Sequence, residues 1–309
     1  MYLSIYFIFM LILITMKKSI PFILSFIFAS CLSYGATSLS GEYSGTLSIT
    51  EDSIVNAGNT YSVAGTSGAN TINVAKNTTL TIDSNATLLV TGGKGVYVTG
   101  TLDINSNATV QISNQIVQWG GSNVVFDSVV SKSNGSPISL ALAGNNIKTT
   151  FGVSQTFNYW DVRFNNYTFT FGQDASVVFN DVSFGAVSVN KETLHSEKSV
   201  TLVDFSSTNS IFIGVGNSIT RDENPYTYEI VEDNVLKISG DCSELDYGSA
   251  SYTFIDEDGE KIKISEVYDG TTLKGFNITT VSVLVPEPAE WAMMFGAIAL
   301  VLAVYRRRK

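Results

Sequence analysis

The sequence has few of the residues that most often build catalytic and metal-binding sites. It contains one histidine, His195, and two cysteines, Cys31 and Cys242, in 309 residues. A Ser-His-Asp or Cys-His site would have to use His195, whose charged neighbours indicate a solvated linker. Because Cys31 lies in a segment that we expect to be removed, neither a disulfide scaffold nor a cysteine-based metal site is available. GxSxG, HExxH and P-loop motifs are missing, so the sequence favours a non-enzymatic protein.

Positive charge is also scarce. Lysine and arginine number 18 against 28 aspartates and glutamates, which gives a net charge of −10. Removal of residues 1–35 and 289–309 would take away six basic residues and one acidic residue, and would leave a net charge of −15. A surface this acidic repels nucleic acid and anionic lipid, so it favours cations or neutral sugars as partners.

A repeat with a fixed period runs through the first part of the body. The segment 79–88, TLTIDSNATL, returns as 101–110, TLDINSNATV, with seven of ten positions identical. Within each copy, aliphatic residues alternate with polar ones, so one face points inward and the other faces water. Asn85 and Asn107 occupy the same corner, where asparagine tolerates the left-handed backbone conformation. Fixed-period self-similarity of this kind indicates stacked units.

Stacking of this repeat predicts an all-β fold, a right-handed parallel β-helix with about 22 residues per turn over residues 36–190. About seven turns are expected between residues 41 and 190. The pattern resembles the solenoids of autotransporter passengers and of pectate-lyase-like proteins. The alternative is an antiparallel sandwich in which the Asn-Ala-Thr turns recur by chance.

Residues 191–284 form a second, more acidic part with short predicted strands. Residues 41–190 hold nine acidic residues, whereas residues 191–285 hold 17. Segment 252–264 predicts a β-hairpin. We expect this β-rich part to cap the solenoid, because an open end exposes strand edges.

Two groups of carboxylates are the strongest candidates for a charged site. Asp83 and Asp103 are predicted on outward positions about one rung apart, where they could hold calcium or act as acid and base on a polysaccharide. The alternative is two solvated side chains on a polar face. Segment 256–260 resembles a calcium loop superficially, but its spacing favours a hairpin turn. A lyase site would also need a basic residue. Arg163 is the one arginine between residues 41 and 190, so it is the one candidate for that role.

An aromatic stripe between residues 157 and 171 offers a carbohydrate platform. Alternation would send about half of its rings outward, where they could stack on sugars. The alternative is a core layer of large side chains. The stripe consists of Phe157, Tyr159, Trp160, Phe164, Tyr167, Phe169 and Phe171.

The N-terminal residues 1–35 predict a signal peptide region. Met16-Lys17-Lys18 followed by an apolar run and then small residues has the order of a secretory signal. Met16 is then the true start, and residues 1–15 are an extension of the gene model. Two alternatives are an N-terminal membrane hairpin and lipidation of Cys31.

The C-terminal residues 285–309 combine a short motif, an apolar run and a basic end. Pro286, Glu287 and Pro288 precede an uncharged segment, residues 291–305, that would span roughly 22 Å as a transmembrane helix. The chain ends in Arg306, Arg307, Arg308 and Lys309, which would stay on the cytoplasmic side. This order resembles the PEP-CTERM sorting signal of bacteria. The resemblance implies cleavage by an exosortase-like enzyme, and a transient inner-membrane intermediate.

Together these features predict an exported surface or extracellular-matrix protein with a structural or adhesive role. The secretion machinery and an exosortase-like enzyme are the expected processing partners, a polysaccharide is a possible ligand, and nucleic acid is not expected. A carbohydrate-binding module is the second candidate, and a polysaccharide lyase or hydrolase the third. No cofactor is expected, calcium being a weak possibility. Cys242 is predicted to be inert, because the neighbouring acidic residues Asp241 and Glu244 raise the pKa of a thiol.

Overall fold

The computed structural model describes residues 35–162, 166–183, 197–215, 227–239 and 249–281. The chain divides into two compact units, residues 1–37 and 38–309. The described part of the first unit is residues 35–37, so the fold given below is that of the second unit. Every helix or strand assigned in the described residues is a strand, which confirms the predicted all-β class.

The strands are short in the first half of the chain and longer near its end. The first fifteen are β1 (Thr37–Ser38), β2 (Gly41–Ser44), β3 (Leu47–Ile49), β4 (Ser53–Val55), β5 (Thr60–Gly65), β6 (Ile72–Val74), β7 (Thr79–Ile82), β8 (Thr87–Gly92), β9 (Gly95–Val98), β10 (Thr101–Ile104), β11 (Thr109–Ile112), β12 (Gln115–Gln118), β13 (Asn123–Phe126), β14 (Val130–Ser131) and β15 (Ile138–Leu142). The next seven are β16 (Ile147–Phe151), β17 (Gln155–Val162), β18 (Asn166–Phe171), β19 (Ser176–Phe179), β20 (Val182–Ser183), β21 (Glu197–Val203) and β22 (Ser210–Gly214). The last five are β23 (Thr227–Glu232), β24 (Val235–Ser239), β25 (Ser249–Asp256), β26 (Lys261–Asp269) and β27 (Thr272–Val281).

These strands pair into three sheets, and from β2 to β19 strands that follow one another along the chain fall into different sheets. Within the second unit, sheet A has the order β4-β7-β10-β13-β16-β18-β21-β25-β24-β23. Sheet B has the order β2-β5-β8-β11-β14, and sheet C has the order β3-β6-β9-β12-β15-β17-β19-β22-β27-β26, with β20 paired to β17. The chain therefore winds from sheet to sheet and adds one strand to each sheet as it passes.

The result is a parallel β-solenoid of about six turns. Four turns, from β4 to β15, contribute one strand to each of the three sheets, and two turns, from β16 to β19, contribute strands to sheets A and C. Strands β2 and β3 extend the same parallel ladders before these turns, so the count is close to the seven turns expected between residues 41 and 190. Strand β7 pairs in parallel with β10, with Thr79 opposite Thr101 and Ile82 opposite Ile104. The parallel prediction is confirmed, and the antiparallel alternative is wrong.

The period seen in the sequence is kept in some of the parallel ladders. It holds from β7 through β10 to β13, where Thr79, Thr101 and Asn123 share one register position, and again between β17 and β19. Several other parallel ladders have a different step, that is, a different number of residues between paired positions. The step is longer where Tyr61 pairs with Leu88, and shorter where Gly95 pairs with Gln115. Because strand positions stay in register while the step changes, the corners between strands absorb the difference.

The corners use residues that accept a positive φ angle. Asn85 and Asn107 have φ angles of 61° and 62°, and Asp174 has 58°. Asparagine and aspartate adopt this left-handed conformation at little cost, since their short polar side chains bond locally. The predicted role of Asn85 and Asn107 as equivalent corner residues is confirmed, and Asp174 repeats it later in the chain.

Sheet B stops at β14, and a glutamine side chain completes its last rung. Gln155 is 2% exposed. Its Nε2 donates to the carbonyl of Ser128 at 2.8 Å, and its Oε1 accepts from the backbone N–H of Val130 at 3.3 Å. A side-chain amide thus satisfies backbone groups that a further strand of sheet B would otherwise have satisfied.

Antiparallel strands close the far end of sheets A and C. Strand β25 continues sheet A in parallel with β21, and then β24 and β23 add to it in antiparallel fashion. In sheet C, β27 pairs antiparallel with β22, and β26 pairs antiparallel with β27. The predicted hairpin over 252–264 is wrong. Strand β25 already uses both of its edges, on β21 and β24, so β26 pairs in the other sheet.

Candidate functional site

Asp83 and Asp103 do not form a joint site. The carboxylate of Asp83 lies in its own turn, where Oδ1 accepts from the N–H of Ser84 at 2.8 Å and from Asn105 Nδ2 at 3.4 Å. Asp103 points outward from β10, and burial together with the charge of Asp127 raises the pKa of its carboxyl. The structure therefore couples Asp103 to Asp127, which the sequence analysis did not single out.

The acidic segment 256–260 is a turn organised by its first residue. Asp256 is 6% exposed. Its Oδ1 accepts from the backbone N–H of Asp258 at 2.9 Å and of Glu260 at 3.2 Å, and Gly259 takes a positive φ of 81°. This oxygen is occupied by backbone donors, so the segment is a turn. It is not the predicted hairpin turn, because the strands on either side of it pair in different sheets.

An open cleft of about 580 Å³ lies beside this turn. Asp204, Asp258 and Glu260 contribute its charge, and Phe205, Ser206, Ser207 and Thr280 complete its lining. In the part of the chain that the structure describes, no group of three or more histidine, cysteine or carboxylate side chains has an arrangement that could hold a metal ion.

The aromatic stripe at 157–171 lies mostly in the core. Phe157, Tyr167, Phe169 and Phe171 are 0–3% exposed, so for these four residues the core layer of large side chains is confirmed and the outward platform is wrong. Tyr159 is partly buried. The four rings are buried because each occupies an inward strand position and packs on neighbouring rings. Phe157, for example, packs on Phe179 with ring centroids 5.5 Å apart.

An aromatic pair with one exposed and one half-buried ring lies elsewhere, on the outer face of sheet C. Tyr97 stands at the outward position of β9, between buried Val96 and Val98. Trp119 directly follows β12 and is 45% exposed. The ring centroids are 6.3 Å apart and the ring planes meet at 32°. The alternation of buried and outward residues around 97 and 119 was the signal that could have identified both.

A buried lysine is the other feature that the sequence analysis missed. Lys198 occupies an inward position of β21 and is 1% exposed. Its Nζ lies 5.5 Å from the centroid of the Tyr252 ring and has no hydrogen-bond partner among the described residues. Burial lowers the pKa of this amine to about 8. Such an amine costs folding free energy when it is charged.

Several predicted residues lie outside the described residues. They are His195, Arg163, Phe164, Cys242, Pro286, Glu287, Pro288, Arg306, Arg307 and Arg308. The same holds for the signal peptide and the sorting segment, and the side chain of Trp160 is likewise not described. Their assigned roles remain predictions.

The described residues contain no helix long and apolar enough to cross a membrane. The chain matches no protein-family model, no curated protein and no solved structure.

Proposed function

We propose that this chain is an exported bacterial surface or extracellular-matrix protein with a structural or adhesive role and no catalytic activity. Its partner is the cell envelope or an exopolysaccharide. The observation that carries the proposal is the parallel solenoid, whose turns share one continuous hydrophobic interior. Stacked repeats of this kind make stiff, extended bodies with long outer faces suited to contacts along a polymer.

The covered strand edges at the far end of the solenoid support the proposal of a free-standing body outside the cell. Antiparallel strands terminate sheets A and C, and Gln155 completes the last rung of sheet B. These features reduce the number of open strand edges that would pair with other chains. The net charge of −10 keeps individual molecules apart and disfavours anionic partners.

The route to the surface is proposed from the two ends of the sequence. The segment that begins at Met16 directs export, and the Pro286-Glu287-Pro288 element resembles a PEP-CTERM signal that is cut by an exosortase-like enzyme. The basic end, Arg306 to Lys309, holds the intermediate in the inner membrane until cleavage. We further propose that the solenoid is right-handed, as parallel crossover connections almost always are.

Mass spectrometry of the native cell-surface pool tests this route. The mature protein should lack residues 295–309, whereas a Glu287→Gln variant should accumulate in the membrane fraction with its tail intact. Glu290→Gln, just beyond the motif, is the matched control and should be processed normally. Recovery of an intact Arg306 to Lys309 tail from wild-type surface protein would contradict the proposal.

The non-catalytic assignment has its own test. The purified protein is incubated with neutral and acidic polysaccharides, and new reducing ends and unsaturated products are measured over time. We expect neither to form above a heat-treated control. Steady turnover of any of these polymers would instead place the chain among the lyases or hydrolases.

A further inference from the structure

We propose that Tyr97 and Trp119 form a stacking site for a neutral saccharide on the outer face of sheet C. The site deepens the adhesive role proposed above, on which it rests, since it names a ligand class and the residues that bind it. The two rings lie on the same face of neighbouring rungs, with centroids 6.3 Å apart and a tilt of 32°. They therefore present two adjoining aromatic faces, not one isolated ring.

The backbone holds Trp119 in place before any ligand arrives. Its N–H donates to the carbonyl of Val98 at 2.9 Å, and its carbonyl accepts from the N–H of Ser122 at 3.0 Å. The turn between them uses Gly121 at a φ of 76°. A side chain at Gly144 would collide with the backbone of Gly120 and Trp119, so a glycine there lets the next rung pack closely. Because the backbone is already fixed, only the side-chain freedom of Trp119 is lost on binding.

The outward strand positions next to the pair carry no charge. The outward positions of β3, β6, β9 and β12 are Ser48, Asn73, Tyr97, Gln115 and Val117. Sheet A differs, because its outward positions include Asp103 and Lys148. These positions offer no ion-pair partner to a charged ligand, and the acidic chain as a whole repels anions.

Asn73 gives the site a polar contact beside the rings. It is directly opposite Tyr97 in the β6–β9 ladder. Its Oδ1 accepts from Asn70 Nδ2 at 3.0 Å, which orients the amide and leaves its own Nδ2 as a donor for a ligand. A pyranose ring has apolar C–H faces and hydroxyl edges, so it fits aromatic faces flanked by a neutral donor.

The choice of a saccharide follows from what the other candidates would require. A quaternary or primary ammonium also binds aromatic faces, but such sites gain from a nearby carboxylate, and none stands at the outward positions just named. An apolar peptide would need a wider hydrophobic patch than these two rings and Val117 provide. A neutral sugar can stack on the two rings and accept a hydrogen bond from the Asn73 amide, and it needs no charged partner.

Calorimetric titration of the full chain with cellohexaose, laminarihexaose and mannohexaose tests the site. We expect at least one of these neutral oligosaccharides to bind, and Trp119→Ala to weaken its Kd about tenfold. Trp119→Phe, which keeps an aromatic face, should stay within about threefold of wild type. Tyr268→Ala removes another exposed aromatic, 52% exposed and on β26, and should leave the Kd unchanged.

Four results would overturn the site. These are no binding of any of the three oligosaccharides, equal affinity of Trp119→Ala and wild type, tighter binding of an oligogalacturonate, and self-association that Trp119→Ala abolishes in sedimentation. The last would make this face a contact between copies. Failure here is distinguishable from failure of the proposed function, because the latter is measured by the location and processing of the protein and not by sugar binding.

Discussion

The three-strand turns, β4 to β15, and the two-strand turns, β16 to β19, keep the same parallel stacking but fill their interiors differently. The three-strand turns bury mainly aliphatic side chains, such as Leu80, Leu102 and Val124. The two-strand turns bury rings, with Phe151 and Phe169 at 5.4 Å between centroids. When sheet B ends, two facing sheets remain, and large aromatic side chains fill the space between them.

Buried charge lies beyond both regions. Among the described residues, the buried charged side chains are Asp181, Lys198 and Asp256. All three follow β19, whereas the three-strand turns bury only neutral polar groups such as Gln118 and Ser128. The strands after β19 therefore carry the buried charge that makes stability depend on pH.

The largest expected effect comes from removing a ring at the centre of the aromatic interior. Phe151 contacts Phe126, Phe157, Phe169 and Phe171, with centroid distances between 5.4 and 6.3 Å. Phe151→Ala should lower the free energy of unfolding by about 3–5 kcal/mol, because it leaves a cavity and removes ring contacts. Denaturant unfolding measures the change.

Phe151→Leu is the control for this substitution. It keeps an apolar side chain of nearly the same reach, so it should cost about 1 kcal/mol. Equal losses for alanine and leucine would show that the rings do not stabilise the two-strand turns through their packing.

The next effect is a pH dependence of the free energy of unfolding that Lys198 causes. Burial lowers the pKa of this amine to about 8 in the folded chain, below the usual 10.5 of an unfolded lysine. The unfolded chain thus binds more protons between about pH 8 and pH 10.5, so stability rises with pH in that window. Lys198→Met should remove this rise, and should stabilise the protein at pH 7 by about 3 kcal/mol.

Unfolding followed from about pH 7 to about pH 10.5 measures this difference. Lys237→Met is the matched control, because Lys237 is partly exposed and pairs with Glu229 at 3.6 Å. It should change neither the free energy of unfolding at pH 7 nor its dependence on pH. A Lys198→Met protein whose stability at pH 7 falls below that of wild type would show that the buried amine is charged and well paired.

A smaller effect is expected at the junction between the two regions. Gln155→Ala leaves the N–H of Val130 and the carbonyl of Ser128 without the partners that the glutamine provides. Buried backbone groups without partners cost about 1–3 kcal/mol, so stability should drop by about 2 kcal/mol. Gln111→Ala, at a half-exposed outward position of β11, is the control and should cost under about 0.5 kcal/mol. Indistinguishable losses from the two changes would contradict a special role for the junction.

The sequence was sufficient for the parts of the fold that repeat. The identity between 79–88 and 101–110 predicted parallel pairing and the corners at Asn85 and Asn107, and both were confirmed. Phe157 and Phe179, which are separated by the same period, are also paired. Alternation and period are local signals, so they survive wherever successive turns use the same strand lengths.

The sequence was insufficient where a residue's role depends on a distant partner. The pairing of β26 with β27 and not with β25 depends on β21 and β24 already occupying both edges of β25. The burial of Phe157 and Phe169 depends on the end of sheet B. Tyr97 is directly opposite Val117, because the step from β9 to β12 is shorter than the repeat period. Trp119 therefore lies on the diagonal from Tyr97, close enough for the two rings to meet.

Disulfide trapping between two rungs tests the central claim, parallel stacking, most directly. In a Cys242→Ser background, Thr79→Cys with Thr101→Cys places two cysteines at directly opposed positions of β7 and β10, within the Cα separation that a disulfide spans. Thr79→Cys with Asn105→Cys is the control, because antiparallel pairing would bring those two together. Parallel stacking predicts rapid oxidation of the first pair and free thiols in the second, and the reverse outcome would contradict it.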